Sequence, residues 1–230
     1  MEGLSAWVQQ LDVSKLIDMA VLAAACLLCI TFHELCHGLA ALALGDPTAK
    51  RRGRLSLNPI RHIDPIGLVL LFVARFGWAK PVPIDPRYFK NPKAGMAITA
   101  LARPIGNILL AVVLTGCYGV SLFYLYLTEA AWLEYLVRFF YMAALLSEGL
   151  AVFNLLPIPP LDGSKVLFSV LPEHLYWKLM RYERYGMVAL AALLMTGVLD
   201  VPLGVMRGWL AALTEPVGAW AFYLIQSFYF

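Results

Sequence analysis

The stretch that decides the fold is LIDMAVLAAACLLCITFHELCHGLAALAL, residues 16–44. A helix rises ~1.5 Å per residue, so an apolar run of this length crosses a bilayer even when tilted. Apart from Lys15 it lacks the basic start of a signal peptide, and it has no small-residue cleavage site. It stops at Gly45-Asp46-Pro47, where a turn is expected. We therefore predict that residues 16–44 form a membrane-spanning helix.

The composition extends this prediction to the whole chain. Of the 230 residues, 61% are apolar and 14% are charged, against ~45–50% and ~25% in a typical soluble domain. These figures exclude a soluble globule, a disordered chain and a small disulfide scaffold. Because the apolar stretches are continuous rather than alternating, they also exclude a barrel. The predicted fold class is an all-α membrane protein, a polytopic helical bundle of about four to six spans.

Further apolar runs follow the first one. Residues 94–127 and 132–156 are each long enough to span a membrane. Residues 164–184 are amphipathic and predict a surface helix, whereas 187–199 is apolar but short. Residues 203–230 fit either a span or an interfacial hairpin. The cysteines all lie inside apolar segments and are interpreted as small core residues. They are Cys26, Cys29, Cys36 and Cys117.

The segment between the first two long runs, residues 45–93, is basic and rich in proline. Its alternating residues 55–58 predict a short strand, and the apolar piece 66–73 is interpreted as re-entrant or interfacial. Ten of the 18 Lys and Arg residues lie between positions 50 and 93. Beside membrane spans such a block indicates the cytoplasmic side and contact with a lipid bilayer, not nucleic acid. Three spans would place 157–185, with four more basic residues, on the same side.

The motif His33-Glu34-Leu35-Cys36-His37 carries the strongest chemical signal. Positions i and i+4 share one face of a helix, so both imidazoles can reach one metal ion. Glu34 lies beside them, where it can take a proton from water on that metal. Three ionisable groups this close together on a membrane helix are costly and are retained mainly for function. The alternative is a buried polar patch held by mutual hydrogen bonds.

A catalytic zinc ion needs a third protein ligand, and two acids are candidates. They are Glu148 and Asp162. Asp162 follows Pro157-Ile158-Pro159-Pro160, which must break the third span, and irregular backbone at membrane depth is tolerated where it lines protein or a cavity. That reasoning places Asp162 on a cavity wall at the same end of the bundle as the histidines. An ordinary turn or an N-cap before the 164–184 helix is an equally open interpretation.

Together, these motifs resemble the site-2 protease family of intramembrane zinc metalloproteases. The second motif runs Phe153-Asn154-Leu155-Leu156-Pro157-Ile158-Pro159-Pro160-Leu161-Asp162-Gly163. Four shorter stretches resemble the small branch of the family, which lacks PDZ and CBS domains. They are GDPT at 45–48, LNP at 57–59, HIDPIG at 62–67 and FGWAKPVP at 76–83. The resemblance covers residues 30–170.

The resemblance implies a site, a cofactor and a substrate. The implied residues are the ligands His33, His37 and Asp162 for one Zn²⁺ per chain, the catalytic base Glu34, and the substrate-binding or oxyanion candidates Asn107, Asn154 and Pro159. The implied partner is a membrane-spanning protein substrate, cleaved near the cytoplasmic face of the cell membrane. One position departs from the family: Arg103 stands where a Gly usually precedes Pro-x-x-Asn and permits close helix approach.

The domain organisation follows from this interpretation. Residues 1–230 form a single membrane-embedded protease domain, with a catalytic core at about 16–170 and C-terminal helices at 186–230. One alternative is a membrane metalloprotease of the prenyl-protein type, which takes a Glu ligand from a later helix. Another is an inactive homologue that binds membrane partners, although the presence of Glu34 argues against it. A metal transporter would need acids and histidines on several spans. Oligomeric state and substrate identity are left open.

Overall fold

The structure is a computed structural model that describes residues 13–64 and 80–230, apart from the side chain of Arg184. Helices make up most of this part of the chain. In order they are α1 (Val13–Ala43), α2 (Thr48–Arg51), α3 (Pro92–Thr128), α4 (Ala131–Leu155), α5 (Asp162–Ser169), α6 (Glu173–Met195) and α7 (Asp200–Tyr229). The piece 66–73, predicted to be re-entrant, lies outside the described residues.

Three helices of the described chain are long and apolar enough to cross a membrane: α1, α3 and α4. A fourth crossing is possible near the C-terminal end. Two segments, Tyr185–Met195 and α7, meet at 89° across a short break, and together they can count as one broken span. The predicted all-α membrane bundle is confirmed. The described residues account for three spans, or four with the broken one, so only the higher count reaches the predicted four to six.

The ends of α3 follow from local sequence. Asn91 Oδ1 accepts the N–H of Ala94 at 3.1 Å, and Pro92 occupies the first helical position, where its missing N–H costs nothing. The helix ends at Glu129, which adopts a left-handed conformation with φ 51° and donates its N–H to Leu125 O. Because α4 begins at Ala131, the two helices are antiparallel neighbours joined by a tight turn.

Helix α3 lies at the centre of the bundle and contacts α1, α4, α5 and α7. Two glycines bring it close to its neighbours. A Cβ on Gly119 would overlap the carbonyl oxygen of Gly218 in α7, and a Cβ on Gly106 would overlap Cys36 Sγ in α1. Small residues permit this approach of membrane helices. α3 therefore approaches α1 closely at Gly106, three residues after Arg103.

The turn after α1 is fixed by Asp46, whose side chain is fully buried. Its Oδ1 accepts the N–H of Thr48 at 2.8 Å, and its Oδ2 accepts the N–H of Asp85 at 2.7 Å. Gly45 precedes it with φ +103°, a conformation that residues with a side chain rarely adopt. The turn thus ends α1 and ties the start of the basic segment to a position near its end.

The strand predicted at residues 55–58 is wrong. These residues lie in irregular backbone between α2 and a 3₁₀ turn at Pro59–Arg61. Short polar side chains explain the difference, because they bond to the local backbone instead of leaving it to a neighbouring strand. Ser56 Oγ accepts the N–H of Asn58 at 3.1 Å, and Asn58 Oδ1 accepts the N–H of Ile60 at 3.0 Å, which caps the turn.

Candidate active site

His33 and His37 lie on one face of α1, one turn apart, and both side chains are buried. His33 Nδ1–H donates to Asn107 Oδ1 at 3.2 Å, and His37 Nδ1–H donates to the carbonyl oxygen of Thr99 at 2.8 Å. Both acceptors belong to α3. A hydrogen bond at Nδ1 sets the tautomer and leaves Nε2 as the nitrogen for a metal, which is the usual arrangement at zinc sites.

Asn107 is fully buried and is positioned by its neighbours. Gly106 brings this turn of α3 against Cys36 in α1, which places Asn107 beside His33. From the other side, Ser147 Oγ–H in α4 donates to the backbone oxygen of Asn107 at 2.8 Å. The side chain of Asn107 therefore contacts an imidazole in this structure. The oxyanion role that the resemblance implies for Asn107 stays a prediction.

Glu34 is 7% exposed and is held from two sides. Its Oε2 accepts the N–H of Val82 at 2.7 Å. Its two oxygens also pair with Arg103 Nη2, at 2.9 Å for Oε1 and 3.1 Å for Oε2. The carboxylate is thus fixed between α3 and the end of the basic segment, next to His33 in the sequence.

Asp162 opens α5 and is 1% exposed. The proline-rich residues 157–160 end α4, as the sequence predicted, and return the chain toward α3. Gly163 makes this return possible, because a Cβ there would overlap the carbonyl oxygens of Leu155 and Leu156. The break after α4 therefore buries a carboxylate instead of exposing it in a surface turn.

The N-cap interpretation of Asp162 does not match its contacts. The N-cap of α5 is Leu161, and among the described residues no side-chain capping hydrogen bond is made there. The Asp162 carboxylate instead faces two cations. Arg103 Nη1 lies 3.3 Å from each of its oxygens, and Lys165 Nζ lies 3.8 Å from Oδ1.

Arg103 is the site residue that the sequence analysis missed. It bridges Glu34 in α1 and Asp162 in α5, and its side chain is 13% exposed. From the sequence, Arg103 in place of glycine was expected to affect local helix packing. The available signal was electrostatic: an arginine inside a long apolar run requires an acidic partner, and the two sequence motifs supply the nearest acids.

Asn154 and Pro159 lie near the break after α4. Asn154 is partly buried, and its Nδ2–H donates to Leu150 O of its own helix at 2.8 Å. Pro159 packs against Gly186, where a Cβ would meet its backbone. Within residues 13–64 and 80–230, neither residue makes a hydrogen bond to the candidate ligands or to Glu34. The role of these two residues in binding substrate stays a prediction.

Glu148 belongs to a different contact. It lies in α4, is 4% exposed, and its Oε1 accepts the hydroxyl proton of Thr214 in α7 at 2.5 Å. The cavity it faces is lined by residues of α3, α4 and α7, among them Arg207 and Glu215. This position separates Glu148 from the histidines of α1. Of the two acids considered for the third ligand position, Asp162 is the one that meets Arg103 and, through it, Glu34.

The donor types at the site fit zinc. Two imidazoles present Nε2 with Nδ1 already bonded, and Asp162 adds a carboxylate oxygen, a nitrogen and oxygen set that zinc accepts. In the described part of the chain, however, three such donors are not gathered around one point. The guanidinium of Arg103 covers the Asp162 carboxylate.

Similarity to known proteins identifies the family of this chain. Residues 98–197 match the sequence profile of peptidase family M50, a segment that holds Arg103, Asn107, Asn154 and Asp162. The chain is 39% identical over 185 residues to "Putative zinc metalloprotease YwhC" of Bacillus subtilis, covering 78% of this chain and 80% of that protein. No solved structure matches the chain significantly.

A second relative is more distant. "Putative zinc metalloprotease Rip2" of Mycolicibacterium smegmatis is 31% identical over 183 residues, which cover 76% of this chain and 66% of that protein. The protein of the same name from Mycobacterium tuberculosis is 29% identical over 178 residues. With buried histidines and acids on helices long enough to span a membrane, and with these matches over most of its length, this chain belongs to peptidase family M50, the site-2 protease family.

Proposed function

We propose that this chain is an intramembrane zinc metalloprotease that hydrolyses a peptide bond in membrane-spanning protein substrates. The observation that carries the proposal is the pair of buried imidazoles on α1, His33 and His37, each fixed through Nδ1 by an acceptor of α3. Membrane helices seldom bury two histidines and an acid within one turn without a functional reason. Family membership supports the same conclusion.

His33, His37 and Asp162 would hold one zinc ion per chain. When bound, zinc supplies Lewis-acid activation of a water molecule and of the scissile carbonyl. The protein contributes the orientation of its ligands: Asn107 and the Thr99 carbonyl fix the two imidazole rings. Loss of such outer contacts typically costs ~10–100-fold in metal affinity or activity.

Glu34 is proposed to move the proton. It takes a proton from the attacking water and gives it to the leaving amine, so it ends the reaction ionised, as it began. The N–H of Val82 holds Oε2 at 2.7 Å and sets the direction of the carboxylate. Arg103 pairs with the same carboxylate from the side of α3.

The substrate is proposed to enter beside the break after α4. A helical substrate hides its carbonyls in i to i−4 hydrogen bonds, so it has to unwind before hydrolysis. Asn154 lies in the last turn of α4, and Pro159 lies in the irregular backbone that follows. Among the described residues, the Asn154 amide donates to its own helix alone. We therefore retain these two residues as substrate-binding candidates, and we assign Asn107 to the orientation of His33.

The site is proposed to open to the cytoplasm. His37 lies six residues before the end of α1, which corresponds to about 9 Å of helix. The basic segment follows at once, and its residues Arg51, Arg52 and Arg87 are exposed. By the positive-inside rule that end of the bundle faces the cytoplasm of the cell membrane.

The test is Glu34→Gln in the purified full chain. The variant should lose cleavage of a membrane-spanning substrate and keep its zinc, because Glu34 is a base and not a ligand. Elemental analysis and a cleavage assay, each with and without a chelator, measure both. Zinc loss at normal folding would make Glu34 a ligand, and wild type that holds zinc without cleaving would indicate an inactive homologue.

A further inference from the structure

The contact that Arg103 makes has a specific form. Its Nη2 lies 2.9 and 3.1 Å from the two oxygens of Glu34, and its Nη1 lies 3.3 Å from each oxygen of Asp162. One guanidinium therefore covers both oxygens of both carboxylates. A metal ion bound to Asp162 has to use one of the oxygens that Arg103 now holds.

The surrounding charges show what Arg103 does there. Lys165 is shared, since its Nζ lies 3.5 Å from Glu183 and 3.8 Å from Asp162. Among the described side chains, Arg103 is thus the nearest cation to both buried acids. A buried carboxylate without a cation is costly. Zinc would neutralise the same acids with two charges. If zinc and Arg103 both stayed beside Glu34 and Asp162, their three positive charges would exceed the two negative ones, next to two imidazoles.

The acids, rather than a pocket of its own, hold the guanidinium in place. Arg103 Nε is buried and has no hydrogen-bond partner among the described residues. A guanidinium has five N–H donors, and buried donors are normally satisfied. In the position where Arg103 contacts both Glu34 and Asp162, its Nε–H donor stays unpaired among the described residues. When another cation binds Asp162, the guanidinium loses one of the two ion pairs that hold it at this position.

We propose that Arg103 is the resident counter-ion of the metal site, which competes with zinc for Asp162 and withdraws when the metal binds. The inference rests on the proposed function and deepens it. Withdrawal frees Asp162 as a ligand and Glu34 as a base in the same event. Arg103 therefore lowers the affinity for zinc, stabilises the metal-free protein, and keeps the base ion-paired until the ligand set closes.

A different role for Arg103 predicts the opposite change in zinc affinity when the residue is replaced. If Arg103 stayed in place and only oriented Asp162 as a ligand, its removal would weaken zinc binding, as the loss of outer contacts of metal ligands does. Competition predicts that removal strengthens zinc binding. The direction of the change in affinity therefore decides between the two roles, independently of any cleavage assay.

The experiment measures zinc affinity of the full chain in detergent, by competition with a chromogenic chelator. Arg103→Gln should bind zinc at least ~10-fold more tightly than wild type, the lower end of the range for contacts around a metal ligand. Its metal-free form should unfold at a lower temperature, since two buried acids lose their cation. Arg138→Gln is the matched control, because Arg138 pairs with Asp18 at 2.9 Å, away from the site, and should leave zinc affinity unchanged.

Each outcome supports or overturns the inference. Unchanged or weaker zinc binding by Arg103→Gln overturns it, while zinc binding by wild type leaves the proposed function standing. Absence of zinc binding in wild type and every variant overturns both. If Arg103→Gln does not fold, Arg103→Lys serves instead, because Lys keeps the charge without the planar fork and should bind zinc with intermediate affinity. Affinity equal to or below wild type in that variant also overturns the inference.

Discussion

A carboxylate at the start of a helix can hold a metal or cap the helix, and Asp162 distinguishes these roles by its contacts. Its oxygens face Arg103 and Lys165, while the N-cap position belongs to Leu161. Asn and Asp rank alike as N-caps, so a capping role would tolerate the exchange of one for the other. A ligand role would not, because the amide lacks the negative charge.

Asp162→Asn should therefore reduce zinc content and cleavage together, by at least the ~10–100-fold that is typical when contacts around a metal ligand are lost. Elemental analysis and a cleavage assay on the purified variant measure both. Glu148→Gln is the control. It should keep its zinc, because Glu148 bonds to Thr214 and not to the histidines. Full zinc in Asp162→Asn, or an empty site in Glu148→Gln, would contradict the assignment.

The residues of the site differ in how far the sequence predicts them. Spacing alone placed His33 and His37 on one buried face, because the helical period is fixed. The contacts of Arg103 were not predictable in this way. They depend on how α1, α3 and α5 meet in space, and a pattern within one helix carries no information on its neighbours. The same reason explains why the Nδ1 acceptors Asn107 and Thr99 could not be paired with their histidines in advance.

At the scale of elements, the close contact between α3 and α7 is the feature most open to a direct test. A Cβ on Gly119 would overlap the carbonyl oxygen of Gly218, which belongs to a backbone that cannot move without shifting α7. One turn earlier, a Cβ on Gly116 would lie 3.8 Å from Val217 Cγ1, an ordinary van der Waals contact. Both glycines face α7, but only Gly116 leaves space for a side chain.

Gly119→Ala should destabilise the protein by about 1–3 kcal/mol or more, the range for overpacking a close contact. Gly116→Ala should be neutral or stabilising by up to about 1 kcal/mol, since alanine favours a helix over glycine. Thermal unfolding of both variants in detergent measures the difference. Equal stability of the two variants would show that α3 and α7 are not in backbone contact.

Long elements were predictable, and short ones were not. The runs 94–127 and 132–156 closely match α3 and α4, because continuous apolar sequence at membrane depth has few structural options. The strand expected at 55–58 failed because Ser56 and Asn58 bond locally. Alternation over four residues is too weak a signal to overrule such contacts.

At the scale of the whole molecule, orientation in the membrane would decide on which side the proposed cleavage occurs. The basic segment joins the C-terminal end of α1 to the N-terminal end of α3, and the candidate site lies close to both ends. The turn between α3 and α4 lies at the opposite end of α3. If the positive-inside rule holds, the two ends face opposite compartments.

Single cysteines test this orientation in a background without the four native ones. Arg52→Cys and Lys90→Cys, both at exposed positions, should be shielded from an impermeant thiol reagent in intact cells. Thr128→Cys, exposed at the far end of α3, should be labelled. Permeabilised cells, in which all three should react, provide the control. The reverse pattern would place the basic segment outside the cell and contradict cleavage near the cytoplasmic face.

The hydrogen bond from Val82 to Glu34 has a further consequence for how the chain can vary. Val82 stands between Pro81 and Pro83, and a proline has no N–H to donate. If the chain slipped by one residue in either direction past α1, Glu34 would face a proline and lose its backbone donor. Only one alignment of residues 81–83 with α1 therefore keeps the hydrogen bond. Insertions and deletions before Val82 are compatible with the site only when they leave the Val82 N–H next to the Glu34 carboxylate.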